Sequence, residues 1–196
     1  MTVVPGGPRP QAARAALAVA FCPSPPLLLP GVEGRPDADT SELRRACAQA
    51  VTAMLAVRPE VVVVVGDGAG PGERFGSGDA GDLRGFGVDL RPPFDGPVRP
   101  GGRRVPLAHT LGAWLLDQAG HTGLRLGVGP DDLASTLEEL PAAVGVLAMG
   151  DGSARRSEKA PGHLDPAAAG FDAAVAAALA AGDTTTLAAL DPVEGE

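Results

Sequence analysis

The sequence has few aromatic residues, only two cysteines and no long apolar run. Aromatic residues make up 3% of the chain and tyrosine is absent, so a core must be built mainly from valine, leucine and alanine. Cys22 and Cys47 fit neither a C-x-x-C motif nor a zinc-ligand spacing, which excludes a disulfide scaffold and favours reduced thiols in a cytoplasmic protein. No segment approaches the ~20 apolar residues that span a bilayer, so we expect no membrane association.

An excess of basic charge is also missing. The chain carries 24 acidic residues against 16 Lys and Arg, a formal net charge of -8, which repels the phosphate backbone of nucleic acids. The adjacent Arg103 and Arg104 are interpreted as part of a solvated loop. We therefore predict no nucleic-acid partner.

Strand and helix patterns alternate along the chain. Apolar runs predict strands at 15–21, 61–65, 124–128 and 143–149, the second of them built from five β-branched residues. Helical spacing of apolar residues predicts helices at 41–57, 107–119, 131–140 and 165–182. The alternation predicts an α/β fold, with three α/β/α layers around a central, mostly parallel or mixed sheet.

Glycine and proline define the expected domain organisation. We predict a loose N-terminal tail over residues 1–14 and a single α/β domain over 15–196. A Gly/Pro-rich loop at about 69–104 is expected to cover a pocket, with a short edge strand at 86–90.

Two Gly-Asp-Gly turns each follow a strand that is predicted to be buried. The first, at 66–68, presents Asp67, and the second, at 150–152, presents Asp151. Glycine permits a sharp turn, and ligands of α/β proteins bind beyond the carboxyl ends of the strands. A shared ligand or metal site is one interpretation. In the other, each aspartate only binds amides of its own turn.

The three histidines give a weak metal signal. His109, His121 and His163 are scattered, without the spacing that places two imidazoles on one metal. Behind the second turn, Arg155, Arg156 and Lys159 could hold an anionic ligand, although a solvated charge run is the commoner outcome.

Several segments resemble the class III extradiol ring-cleavage dioxygenase superfamily, and in particular those bacterial members that are similar to its catalytic subunits. The resemblance covers residues from about 15 to 190 and rests on the proline-rich run at 22–30, the turn at 66–68, the run at 149–153 and the pair at 171–172. It implies an α/β fold and an Fe(II) site formed by two histidines and a glutamate.

The sequence departs from that family at the metal ligands. Ser24 stands where the family has its first histidine, Asp67 stands at the second, and Ala154 follows Ser153 where a Ser-His pair is usual. Neither Glu194 nor Glu196 matches the family's glutamate. We therefore assign no metal ligand and no cofactor. The candidate pocket residues are Ser24, Asp67, His109, Asp151, Ser153 and His163.

The departures lead us to expect a divergent extradiol-dioxygenase-like pseudoenzyme that binds a small molecule without cleaving rings. The alternative is an active non-haem metal-dependent dioxygenase that uses Fe(II) or another divalent metal. Its rearranged ligands would come from Asp67, Asp151, His109 and His163. A third possibility is a structural subunit that forms a homo-oligomer or pairs with a full-length partner. The sequence leaves open whether the chain is an enzyme.

Overall fold

The computed structural model describes residues 16–32, 37–140, 143–159 and 163–191, so the predicted tail at 1–14 lies outside them. The chain divides into two compact units, Met1–Gly150 and Asp151–Glu196. They are called the first and second unit, and each is described by itself. The single domain over 15–196 stays a prediction.

A five-stranded sheet forms the centre of the first unit. Its strands, in the order β1-β5-β2-β4-β3 across the sheet, are β1 (Ala16–Cys22), β5 (Ala143–Met149), β2 (Val61–Val65), β4 (Leu124–Val128) and β3 (Arg74–Phe75). The first four are parallel, and β3 pairs antiparallel with β4. The prediction of a mostly parallel or mixed sheet is confirmed.

Helices cover both faces of this sheet. Side chains of α1 (Ala38–Leu55) and α2 (Leu107–Gln118) pack with one set of strand residues, and those of α3 (Leu133–Glu139) pack with the other. The three-layer α/β/α architecture is confirmed. Helix α1 begins three residues before its predicted start because Asp37 Oδ1 accepts a hydrogen bond from the amide of Thr40 at 2.7 Å.

The apolar run at 61–65 forms the central strand β2, as predicted. All five of its valines are buried, as expected for a central strand of a parallel sheet. Val62 and Val64 join the α1–α2 side, while Val63 and Val65 join the α3 side. Gly112 lets α2 approach β2 closely, since a Cβ there would lie 2.5 Å from Val64 Cγ1.

Residues 69–104, here called the cap segment, form a packed structure without long helices or strands. It contributes β3 and the almost fully buried side chains Phe75, Leu83 and Phe94 to the core. The predicted edge strand at 86–90 is wrong. Gly87, with φ of 78°, ends a 3-10 turn at Arg84–Phe86 and redirects the chain.

Asp79 holds the cap segment together. Its carboxylate is buried and accepts hydrogen bonds from the amides of Gly76 (3.0 Å) and Arg103 (2.8 Å), and from Arg103 Nη2 (2.8 Å). Burial opposes ionisation, but these donors outweigh it and hold the pKa of Asp79 below its usual value.

The described residues of the second unit form two helices, α4 (Ala168–Ala181) and α5 (Thr184–Ala189). Gly182, with φ of 63°, ends α4, and Asp183 Oδ1 accepts the amide of Thr186 at 3.0 Å to begin α5. In the described part of the chain, no helix combines the length and the apolar character needed to cross a membrane.

Candidate functional site

The carboxyl ends of three strands meet at one edge of the first unit. The amide of Gly150 donates to the carbonyl of Cys22 at 3.0 Å, which joins the ends of β5 and β1. A Cβ on Gly66 would lie 3.3 Å from the carbonyl oxygen of Met149 and 2.6 Å from Ala108 Cβ. The ends of β1, β5 and β2 therefore lie close to the start of α2, at the edge where the strand order predicts ligands.

Ser24 lies half-buried in the proline-rich loop that follows β1. Arg44 of α1 fixes this loop by donating from Nε to the carbonyl of Leu28 and from Nη2 to that of Leu27, both at 2.8 Å. Leu28 is fully buried beneath the loop. The loop is thus anchored to α1, and the position that the resemblance assigns to the first histidine carries the hydroxyl group of Ser24.

Asp67 is exposed at the tip of the first Gly-Asp-Gly turn. Gly68 has φ of 88°, and a Cβ there would lie 2.9 Å from Pro106 Cβ, so the turn needs glycine at this position. Strand β5 separates β1 from β2, which places those two strands about 10 Å apart. Ser24 and Asp67 therefore share an edge of the sheet but follow strands that are not neighbours.

His109 lies in the first turn of α2 and is fully buried. Its Nε2 atom lies 2.9 Å from the carbonyl oxygen of Val128, the last residue of β4, and donates a hydrogen bond to it. The ring packs against Phe75 and Phe94, with centroids 5.1 and 6.3 Å away. Gly127 leaves room for this cluster, since a Cβ there would lie 2.9 Å from His109 Cδ2. His109 therefore attaches α2 to β4.

The other ring nitrogen of His109 has no partner among the described residues. Nδ1 is buried and makes no hydrogen bond. Burial lowers the pKa of His109 despite the hydrogen bond to Val128 and the charges of Glu73 and Asp67. The ring is therefore neutral at pH 7, with an acceptor lone pair on Nδ1.

The cap segment contacts the loops that follow β1 and β4. Val88 Cγ2 would lie 3.4 Å from a Cβ on Gly31, just after the proline-rich run. The amide of Gly72 donates to Asp132 Oδ2 at 2.8 Å, which joins the segment after β2 to the one after β4. These contacts fix the surroundings of the carboxyl edge.

Cys22 and Cys47 form a buried thiol pair between β1 and α1. A side-chain hydrogen bond joins the two sulfur atoms. It raises the pKa of Cys22, which burial raises further, and it lowers the pKa of Cys47. Burial and the neighbouring thiol therefore keep Cys22 protonated at neutral pH.

In the second unit, Asp172 organises the turn that contains Ser153. Asp172 Oδ1 accepts the amide of Ser153 at 2.9 Å, and Oδ2 accepts Arg156 Nη1 at 2.7 Å. These bonds, first that from Ser153, lower the pKa of Asp172. The Ser153 hydroxyl in turn accepts the amide of Arg155 at 3.2 Å. Asp172 belongs to the pair at 171–172 on which the resemblance partly rests, but this role was not predicted from the sequence.

The remaining candidates of the second unit are exposed. Asp151 lies at the tip of its turn. His163 adopts a left-handed backbone conformation with φ of 59°, and its Nδ1 lies 3.2 Å from the carbonyl oxygen of Glu158. Arg155 Nη1 lies 3.4 Å from Asp165 Oδ2. Because Arg156 pairs with Asp172, acidic residues of the unit itself engage both arginines of the basic run.

The candidate residues therefore fall into two sets, Ser24, Asp67 and His109 in the first unit and Asp151, Ser153 and His163 in the second. Within the described residues, no group of three or more His, Cys, Asp or Glu side chains is arranged to hold a metal ion. In comparisons with known proteins, no family model matches the chain and no curated protein matches it.

A polar cluster at the opposite, amino end of β4 was not predicted from the sequence. Arg125 is buried in this strand and pairs with Asp117 of α2, Nη2 to Oδ1, at 2.6 Å. An arginine within an apolar strand was the available signal, because a buried guanidinium requires partners.

Proposed function

We propose that this chain is a small-molecule-binding protein that resembles the class III extradiol dioxygenases in its scaffold and does not cleave aromatic rings. One observation carries the proposal: among the described residues, the carboxyl edge of the first unit offers no accessible imidazole. Ser24 and Asp67 stand at two of the positions where the resemblance calls for histidine. His109 is fully buried and donates from Nε2 to Val128.

These residues do not fit the iron site that the resemblance implies. That site requires two neutral imidazoles and a carboxylate on one face of Fe(II). The chain contains three histidines. His121 precedes the amino end of β4 and His163 belongs to the second unit. Among the described residues of the first unit, His109 is the one histidine at the carboxyl edge, and the hydroxyl of Ser24 is a poor replacement for an imidazole.

The carboxyl edge retains features that suit a ligand. The loop carrying Ser24 is anchored by two hydrogen bonds from Arg44, to the carbonyls of Leu27 and Leu28. Asp67 presents an exposed carboxylate on a turn supported by Pro106. A hydroxyl group and a carboxylate at this edge suit a hydroxylated or otherwise hydrogen-bond-donating small molecule.

Catechol is the probe that follows from the resemblance. We expect titration of catechol into ¹⁵N-labelled protein to shift the amide resonances of Gly66, Asp67 and Gly68, without oxygen consumption. Asp67→Asn should weaken this binding about fivefold, the value of one modest hydrogen bond. Asp39→Asn, which changes an exposed aspartate in the first turn of α1, should leave it unchanged.

The outcome that contradicts the proposal is equally specific. Near-stoichiometric iron in the purified protein, measured by elemental analysis, together with oxygen uptake in the presence of catechol, would establish a working dioxygenase. If catechol shifts no amide resonance at 66–68, it does not bind at this edge.

The alternative, an active metal-dependent dioxygenase with a rearranged ligand set, is favoured by the unpartnered Nδ1 of His109. Asp67 also lies near enough to His109 to act on its charge. For metal binding, the buried ring would have to become accessible. His109→Gln would then abolish metal uptake from Fe(II)-, Mn(II)- or Zn(II)-supplemented growth, whereas the small-molecule proposal predicts no uptake in either protein.

A further inference from the structure

Two free cysteines are in contact where β1 ends and its loop begins. Cys22 is the last residue of β1, and Cys47 lies in the middle of α1. Both side chains are almost fully buried, and a hydrogen bond joins their sulfur atoms. Contact between the sulfurs is the first geometric requirement for a disulfide. Since the sequence has no other cysteine, each is the other's only partner within the chain.

Helix α1 holds the proline-rich run at 22–30 in two places. Cys47 contacts Cys22, where the run begins. Arg44 lies three residues before Cys47, on the same face of α1, and donates to two carbonyls near the end of the run, both at 2.8 Å. The stretch between these two attachments carries Ser24. A covalent bond at the first attachment would therefore tie this stretch permanently to α1.

Exposed residues adjoin both cysteines. Phe21 precedes Cys22 and is exposed, and so are Ala46 and Ala48 on either side of Cys47. Strand β1 is also the outermost strand at its side of the sheet, and among the described residues it pairs with β5 alone. Local opening at such an edge costs less free energy than opening of the core. A small oxidant can therefore reach the thiols through fraying of β1.

We propose that Cys22 and Cys47 form a redox switch, in which hydrogen peroxide converts the thiol pair into a disulfide that ties the proline-rich loop to α1. One thiol, as its thiolate, displaces hydroxide from the peroxide and becomes a sulfenic acid, and the other thiol then displaces water from that sulfur. The two sulfurs lose two electrons in total. The peroxide takes up those electrons and the two thiol protons and becomes two molecules of water.

The disulfide has a global and a local effect. It constrains the unfolded chain between the two cysteines, which should raise the thermal midpoint by about 6–12 °C for a segment and a chain of these lengths. The amides of Leu28, Leu29 and Val32 bond to carbonyls within the loop. Their exchange with solvent should be slower in the oxidised protein. The switch does not depend on the ligand proposed at the carboxyl edge.

Stoichiometric hydrogen peroxide, added to the fully reduced protein, tests the proposal. Trypsin cleaves at Arg44 and Arg45 and so separates the two cysteines. We expect the two cysteine-containing peptides to be joined in a non-reducing digest, and the intact mass to fall by that of two hydrogen atoms. The higher midpoint and the slower loop exchange should accompany this change, and dithiothreitol should reverse all of them.

Cys47→Ala is the matched control, because it removes one sulfur and leaves Cys22 in place. Peroxide should neither join peptides nor raise the midpoint of this variant. Each protein is compared with its own untreated sample, so a loss of stability caused by the substitution does not affect the comparison.

Four outcomes would overturn the proposal. The first is two free thiols after peroxide treatment, and the second is disulfides formed between chains. The third is a joined peptide pair with an unchanged midpoint and unchanged loop exchange. The fourth is an equal rise of the midpoint in Cys47→Ala, which would assign the effect to oxidation elsewhere in the chain.

Discussion

Replacing Asp79 should detach the cap segment from its internal support. The carboxylate is 6% exposed and binds two backbone amides, those of Gly76 and Arg103. Hydrogen bonds to a charged acceptor contribute roughly 1.5–3 kcal/mol each. The ion pair with Arg103 adds under about 1 kcal/mol, because the arginine side chain is 50% exposed and solvent screens it.

Asp79→Ala should therefore lower the free energy of unfolding by about 3 kcal/mol, and Asp79→Asn by about half as much because its amide oxygen keeps one acceptor. Urea denaturation measures this loss. Hydrogen exchange locates it, since the amides of Ala80, Gly81 and Val105 bond within or against the cap segment and should lose protection first.

Acid provides an independent check on the same carboxylate. The folded-state pKa of Asp79 lies below its usual value, so its stabilisation is complete above the unfolded pKa of about 3.9 and is lost as the pH falls through the folded value. The difference between the wild type and Asp79→Asn should shrink over that window.

Asp82→Asn is the control, because Asp82 pairs locally with the exposed Arg84. A loss below about 1 kcal/mol in Asp79→Ala, or an equal loss in Asp82→Asn, would refute this account of the cap segment.

Three further predictions concern the packed interior. Gly112→Ala should destabilise the fold by about 1–3 kcal/mol through overpacking against β2; in thermal melts Gly170→Ala, whose Cβ would meet nothing within 4 Å, should not. A mild thiol oxidant should join Cys22 to Cys47, as detected by non-reducing peptide mapping, and an unchanged map would argue against their contact. The lowered pKa of His109 predicts that its contribution to stability is complete above about pH 6.5 and falls as the pH drops toward the folded-state pKa. His109→Gln should flatten that part of the curve of unfolding free energy against pH. If the slope persists in the variant, another group causes it.

Short-range patterns predicted the strands and helices well. The valines at 61–65 are buried on both faces, and so are most residues of the run at 143–149. In both segments the identity of the residues alone sets the preference for a buried strand. Helix α1 begins three residues before its predicted start because Asp37 caps it, while α3 and α4 begin two and three residues after theirs and have no side-chain cap.

Features that depend on distant residues were not predictable in this way. Asp79 meets Arg103 across 24 residues and Arg125 meets Phe94 across 31, and no local period signals such pairs. The candidate site residues were also chosen from local sequence, without knowledge of their contacts with distant residues. His109 was a candidate because histidines bind ligands, but its side chain points into an aromatic cluster that forms only when the cap segment packs on β4.

The position of β5 has a consequence for how the chain is made. This strand is the last of the sheet in sequence, yet it lies between β1 and β2 and pairs with both. During synthesis, the backbone edges of β1 and β2 that pair with β5 stay unpaired until residue 149 has been made. A ribosome-bound chain that stops before Ala143 should therefore present two open strand edges to chaperones, and release of β5 should close them in one step.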